Sequence, residues 1–127
     1  MLCHKQRAKA NVVANMTVIG DVKDKNVIII DDMVDTAGTI TKAANLMLEN
    51  GAKSVRALCS HAVMSDPASE RVNDSALTEI IFTNSIPFDK EGKNCPTATI
   101  ISVAELFADT IRRVQSCESI SNAYLIK

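Results

Sequence analysis

Four β-branched residues in a row, Val27-Ile28-Ile29-Ile30, run straight into Asp31-Asp32-Met33-Val34-Asp35-Thr36-Ala37-Gly38-Thr39, after which a helical pattern begins. No other stretch of the chain constrains its fold as tightly. The run predicts a strand over Val27 to Asp31, apolar on both faces, as in a parallel sheet buried between helix layers. Two carboxylates at the strand end, a short loop and a helix from Thr39 predict a strand–loop–helix junction. Open α/β sheets bind ligands at such junctions, because leading helix N–H groups and the helix dipole favour phosphate. In this reading Gly38 permits a close backbone approach, while Thr36 and Thr39 add hydroxyl donors. Asp31 and Asp32 cannot bind phosphate directly, but they suit sugar hydroxyls or a hydrated magnesium ion. A phosphate cradle beside a diol reader describes a pocket for a phosphorylated ribose. Asp and Thr are also ordinary turn and cap residues. A whole motif in register after an apolar strand is harder to assign to turn preference alone.

Size and charge exclude several classes. The 127 residues are one domain's worth of chain, and the net charge of −1 offers no basic surface for nucleic acid. No apolar stretch approaches the ~18–20 residues of a membrane span. Met1 to Asn11 is polar and basic, without the apolar core of a signal peptide. Cys3, Cys59, Cys95 and Cys117 are far apart, with no metal-ligand spacing. They read as reduced thiols of a cytoplasmic protein.

The rest of the chain alternates strand and helix signals. Met1 to Asn15 is basic and lacks periodicity, which predicts a loop or mobile arm; Met16 to Asp21 reads as a strand. From Thr39 to Asn50, Ile40, Ala43, Ala44, Met47 and Leu48 form the stripe of an amphipathic helix, with Gly51 at its C′ position. Val55 to Ser60 is the next strand, completing a β-α-β unit. Asp66-Pro67 predicts an N-cap followed by proline at the first helical position. Strands are expected over Leu77 to Thr83 and Thr97 to Ser102, then a helix opened by a Ser102/Glu105 capping box. Val103, Leu106, Phe107, Ile111 and Val114 stripe that last helix, so that each face of the sheet is expected to gain a helix. His61 falls near the ligand edge of the sheet and reads as structural rather than catalytic.

The run VIIIDDMVDTAGT resembles the phosphoribosyl-binding motif of the type I phosphoribosyltransferase fold. Its DDMVDTAGT form is that of ribose-phosphate diphosphokinases (phosphoribosyl pyrophosphate synthetases), not of the base transferases. Thr83-Asn84-Ser85-Ile86-Pro87 matches that family's T-N-T-I-P segment. His4-Lys5-Gln6-Arg7 with Asn11 resembles its catalytic loop, D-K-R-R-x-x-x-N, with His4 and Gln6 departing from the pattern. Glu118-Ser119-Ile120-Ser121 resembles its E-S-V-S segment. The likeness runs from about Lys5 to about Leu125.

The resemblance implies a doubly wound, mostly parallel sheet flanked by helices, over residues 16–127, preceded by a flexible basic arm over residues 1–15. It implies transfer of diphosphate from ATP to ribose 5-phosphate, with magnesium as cofactor. Lys5 and Arg7 are then catalytic, and Asp31, Asp32, Asp35, Thr36, Ala37, Gly38 and Thr39 hold ribose 5-phosphate. Ser119 and Ser121 become contacts of a regulatory phosphate, and the protein a cytoplasmic homo-oligomer, dimeric or hexameric. The likeness covers the C-terminal half of such a synthetase, so this chain is expected to be a fragment, inactive alone. Two other readings stay open: a nucleobase phosphoribosyltransferase and a non-catalytic synthetase-associated subunit.

Overall fold

The computed structural model describes residues 2–9, 12–89 and 91–121, with side chains from residue 20 onward. Two strands open it, β1 (Leu2–Lys9) and β2 (Val12–Ile19), paired antiparallel as a separate two-stranded sheet. The stretch expected to be a loop is therefore strand. The β-branched residues of β2 offer an edge, and β1 supplies the hydrogen bonds that edge lacks. The pairing has register shifts between Gln6 and Arg7 and between Arg7 and Lys9. Such irregularities blur the period-two pattern that would have signalled a strand.

The main sheet is parallel, in the order β3 (Asn26–Val34), β4 (Ser54–Ala62), β5 (Leu77–Thr83), β6 (Ala98–Ile101). Helix α1 (Gly38–Glu49) crosses from β3 to β4 and α2 (Ala68–Asn73) from β4 to β5, while α3 (Ala104–Gln115) follows β6. The class is α/β, as expected. The four strands follow chain order, so the reversal that marks double winding does not occur among the described residues. Gly51 takes φ +90 after α1, the left-handed turn its place past the helix predicts. Other details shift. Pro67, not Asp66, holds the N-cap of α2, and α3 starts after Val103 without a side-chain cap. Ser102 Oγ instead accepts the Ala104 N–H at 3.2 Å, two residues on, which a capping box does not do.

Register explains where the core lies. Val27 pairs with Val55 and Val55 with Leu77; Ile29 pairs with Ala57 and Ala57 with Ile80; Cys59 pairs with Phe82. Paired residues share a face, and this face packs under α1 and α2 with Ile40, Ala44, Met47, Ala68 and Val72. Among the described residues nothing covers the opposite face. Ile28 is 65% exposed and Ile30 76%, with Leu58 and Ile101 exposed beside them. The expectation of a strand buried on both faces is thus corrected. β-branched residues favour strands whether or not anything covers them, so the run could not report its own burial.

The α3 stripe is corrected as well. Leu106, Phe107, Ile111 and Val114 are all exposed, and no residue of α3 is buried. Its surface charges are ordered instead: Asp109 pairs with Arg113 at 2.7 Å and Arg112 at 3.0 Å, and those guanidiniums hold its carboxyl below the ordinary range.

Candidate functional site

β3 runs on through both aspartates to Val34 instead of ending at Asp31. Each carboxylate folds back on the chain: Asp31 Oδ1 accepts the Asp32 N–H at 3.0 Å, and Asp32 Oδ1 accepts the Met33 N–H at 2.8 Å. One oxygen of each is thereby tied to the backbone. Both residues are exposed at the C-terminal edge of the strand.

The loop then makes a left-handed step, and Ala37 makes it, with φ 59. Gly38, expected to permit a close approach, has no positive φ, and a Cβ there would meet Arg71 Nη1 at 3.4 Å. Ala37 is buried, and its carbonyl accepts both the Thr41 N–H at 3.1 Å and the Thr41 hydroxyl at 2.8 Å. Those bonds and the packing of its methyl group offset the roughly 1–2 kcal/mol that a non-glycine residue costs in this conformation. The helix N-terminus needs no side-chain cap, and none is present. The first intrahelical bond is made by Thr41, so the N–H groups of the leading turn face outward, as at any helix start.

These parts enclose one cavity of about 680 Å³, lined by residues 31–42 in sequence and by Arg71. Asp31, Asp32, Asp35, Thr36, Ala37, Gly38 and Thr39 are therefore brought together, as expected. A single strand–loop–helix segment builds nearly the whole wall. Lys42, on α1, and Arg71, on α2, are lining cations that the sequence reading did not indicate, and Arg71 Nη1 donates to the Thr36 carbonyl at 2.8 Å. Three carboxylates face two cations, Lys42 and Arg71. Among the described residues no cluster of three or more His, Cys, Asp or Glu could hold a metal by itself.

The other expected site residues lie elsewhere. Lys5 and Arg7 are on β1, and their side chains lie outside the described residues. Ser119 and Ser121, past the end of α3, are exposed and do not line the cavity. His61 Nδ1 lies 2.8 Å from Ser85 Oγ, and the Thr83 and Ser85 hydroxyls both donate to the Ser60 carbonyl. Asn84 bonds across to the start of α3 through the Val103 N–H at 3.0 Å. The Thr83–Pro87 segment thus ties the strand ends β4, β5 and β6 together, a structural task that includes His61.

Beneath Asp31, buried Cys59 has its thiol pushed up from 9.0 to about 12, first by burial and then by the Asp31 carboxylate. The neutral thiol is therefore the folded form. Stability from this group is complete below pH 9 and declines as the pH rises from about 9 toward about 12. Native alkylation at pH 8 with peptide-level mass spectrometry should label exposed Cys117 while sparing Cys59 and Cys95, which are buried. Rapid labelling of Cys59 would contradict this packing.

Comparison with known proteins bears directly on this geometry. The family model described as "Phosphoribosyl synthetase-associated domain" matches residues 4–126. The chain belongs to this family. Relatives of the domain include the ribose-phosphate pyrophosphokinase of Porphyromonas gingivalis, 60% identical over 98% of this chain and 39% of that protein. Ribose-phosphate pyrophosphokinase 3 of Saccharomyces cerevisiae is 48% identical over 99% of the chain and 39% of its own length. A crystal structure of phosphoribosylpyrophosphate synthetase from Mycobacterium smegmatis superposes with a TM-score of 0.77 at 45% identity. That match covers 83% of this chain and 35% of the other. This chain of the phosphoribosyl synthetase-associated family thus spans about two fifths of the length of the curated relatives it matches.

Proposed function

We propose that the chain supplies the ribose 5-phosphate site of a ribose-phosphate diphosphokinase. In that reaction the anomeric hydroxyl oxygen of ribose 5-phosphate attacks the β-phosphorus of ATP. The bond from the β-phosphorus to the α-phosphate oxygen breaks, AMP leaves, and the hydroxyl proton is released. The observation behind this reading is one cavity that joins the Asp31/Asp32 pair to the Asp35–Thr39 loop at the start of α1. The loop N–H groups and the Thr36 and Thr39 hydroxyls suit the 5-phosphate, and the carboxylates suit the ribose hydroxyls.

Magnesium fits the donors present. Two exposed carboxylates are the usual protein share for this ion, whose remaining positions go to water and phosphate oxygens. When bound it would neutralise charge on the diphosphate. Asp31 and Asp32 would hold it, directly or through the sugar. Lys5 and Arg7 are assigned to the transferring group, where cations offset charge that grows in the transition state. Ser119 and Ser121 are assigned to a regulatory phosphate, and the setting to the cytoplasm.

The cavity holds no second wall for a nucleotide among the described residues, and the chain alone is expected to be inactive, since in-line transfer needs both substrates aligned. An intact protein containing this chain should form AMP from ATP and ribose 5-phosphate. Pyrophosphate-dependent transfer to a nucleobase instead would mark a base transferase, and neither activity would mark a non-catalytic subunit.

Self-association belongs to the same reading. The bare sheet face with Ile28, Ile30, Leu58 and Ile101, and the α3 stripe, present apolar area of the kind that draws copies together. Sedimentation of the chain at micromolar concentration should give a dimer or larger species. A sharp monomer boundary would refute it.

A further inference from the structure

Arg71 reaches the loop from a separate helix, across 35 residues of sequence. Its backbone is fixed by Ala68 and Val72, both buried on the inner side of α2. The guanidinium is held at its far end by the Thr36 carbonyl, at 2.8 Å. It lies beside Gly38 too: a Cβ built there would sit 3.4 Å from the same Nη1. No carboxylate pairs with Arg71 among the described residues, although three line the same cavity. Arg71 spends one of its several N–H donors on the carbonyl, and among the described residues no other acceptor takes the rest. A planar fork fixed at one corner and open at the others matches the oxygens of a phosphate.

We propose that Arg71 is a phosphate-binding residue of this site: it shapes the loop through the Thr36 carbonyl and turns its remaining donors to the phosphate held at the start of α1. This rests on the reading of the loop as a phosphate cradle. It also accounts for the charge. A dianionic phosphate beside Asp31, Asp32 and Asp35 needs a cation, and Arg71 is the cation whose geometry is fixed by a bond to the loop itself.

The test is calorimetric titration of the 127-residue chain with ribose 5-phosphate, inorganic phosphate and plain ribose, for the wild type, Arg71→Gln and Arg71→Lys. Glutamine removes the charge and, two bonds shorter, also gives up the donor to the Thr36 carbonyl, while lysine keeps the charge. Arg71→Gln should weaken both phosphate probes by about tenfold to a hundredfold and flatten their salt dependence. Arg71→Lys should lose less, and ribose alone should not respond. Wild-type binding retained in Arg71→Gln overturns the proposal and leaves the cradle standing. A wild type that binds neither phosphate probe fails the cradle reading itself, and this proposal with it. Should Arg71→Gln not fold, NMR of the wild type decides: the Arg71 Nε–H resonance should move on adding inorganic phosphate, and a fixed resonance overturns the proposal.

Discussion

Phe82→Ala is expected to destabilise the domain by about 3–5 kcal/mol, a large part of the roughly 5–15 kcal/mol that holds a single domain together. Phe82 is fully buried near the C-terminal end of β5, paired with Cys59 on β4 and Ile100 on β6. Its ring also meets Phe88, 5.9 Å between centroids and tilted by 59°. Truncation removes contacts to both neighbouring strands and to the loop after β5, and leaves a cavity in the core. The melting temperature should fall on the order of 10–20 °C. Ile30→Thr is the comparison. It keeps the β-branch on the uncovered face and, melted at a concentration dilute enough for the chain to be monomeric, should change stability by no more than ~0.5 kcal/mol. Equal losses in thermal melts of the two variants would mean that the bare face is packed after all.

Lys5→Ala should act on rate instead of stability. In the intact protein turnover is expected to fall about a hundredfold or more, the usual effect of removing one preorganised charge from a transition state. The KM for ribose 5-phosphate should move much less, because the proposed function gives the 5-phosphate to the loop between β3 and α1 while Lys5 is carried on β1. Steady-state kinetics separate the two parameters. Unchanged turnover would remove Lys5 from the catalytic assignment, and a rise in KM alone would move it to substrate binding.

How much of this was legible beforehand depended on whether the signal was local. The Asp31–Thr39 motif states its own geometry, since a strand, a loop and a helix start all lie within one segment. The bounds of β5, Leu77–Thr83, follow equally from a β-branched run between turn residues. Gly51 marked the end of α1 because a helix commonly ends in that left-handed step. Signals that need a partner were lost. Ile28 and Ile30 look the same in sequence whether a layer covers them or not, and so does the stripe on α3. The left-handed step at Ala37 had no signal in the residue type, because the carbonyl bonds to Thr41 that support it appear only in the fold. Arg71 had no signal at all: an arginine on a short amphipathic helix reads as surface, and only the fold brings it to Thr36. Lys5 and Arg7 were assigned by motif, while the pairing of β1 with β2 was hidden by its irregular register.

The most direct measurement is residue-resolved NMR titration of this chain with ribose 5-phosphate, using ribose as the control. Ribose 5-phosphate should shift the backbone amides of Asp35 to Thr41 and those of Asp31 and Asp32, with plain ribose producing little change at the loop. Shifts confined to other regions, or equal responses to the two sugars, would contradict a phosphate cradle at the start of α1.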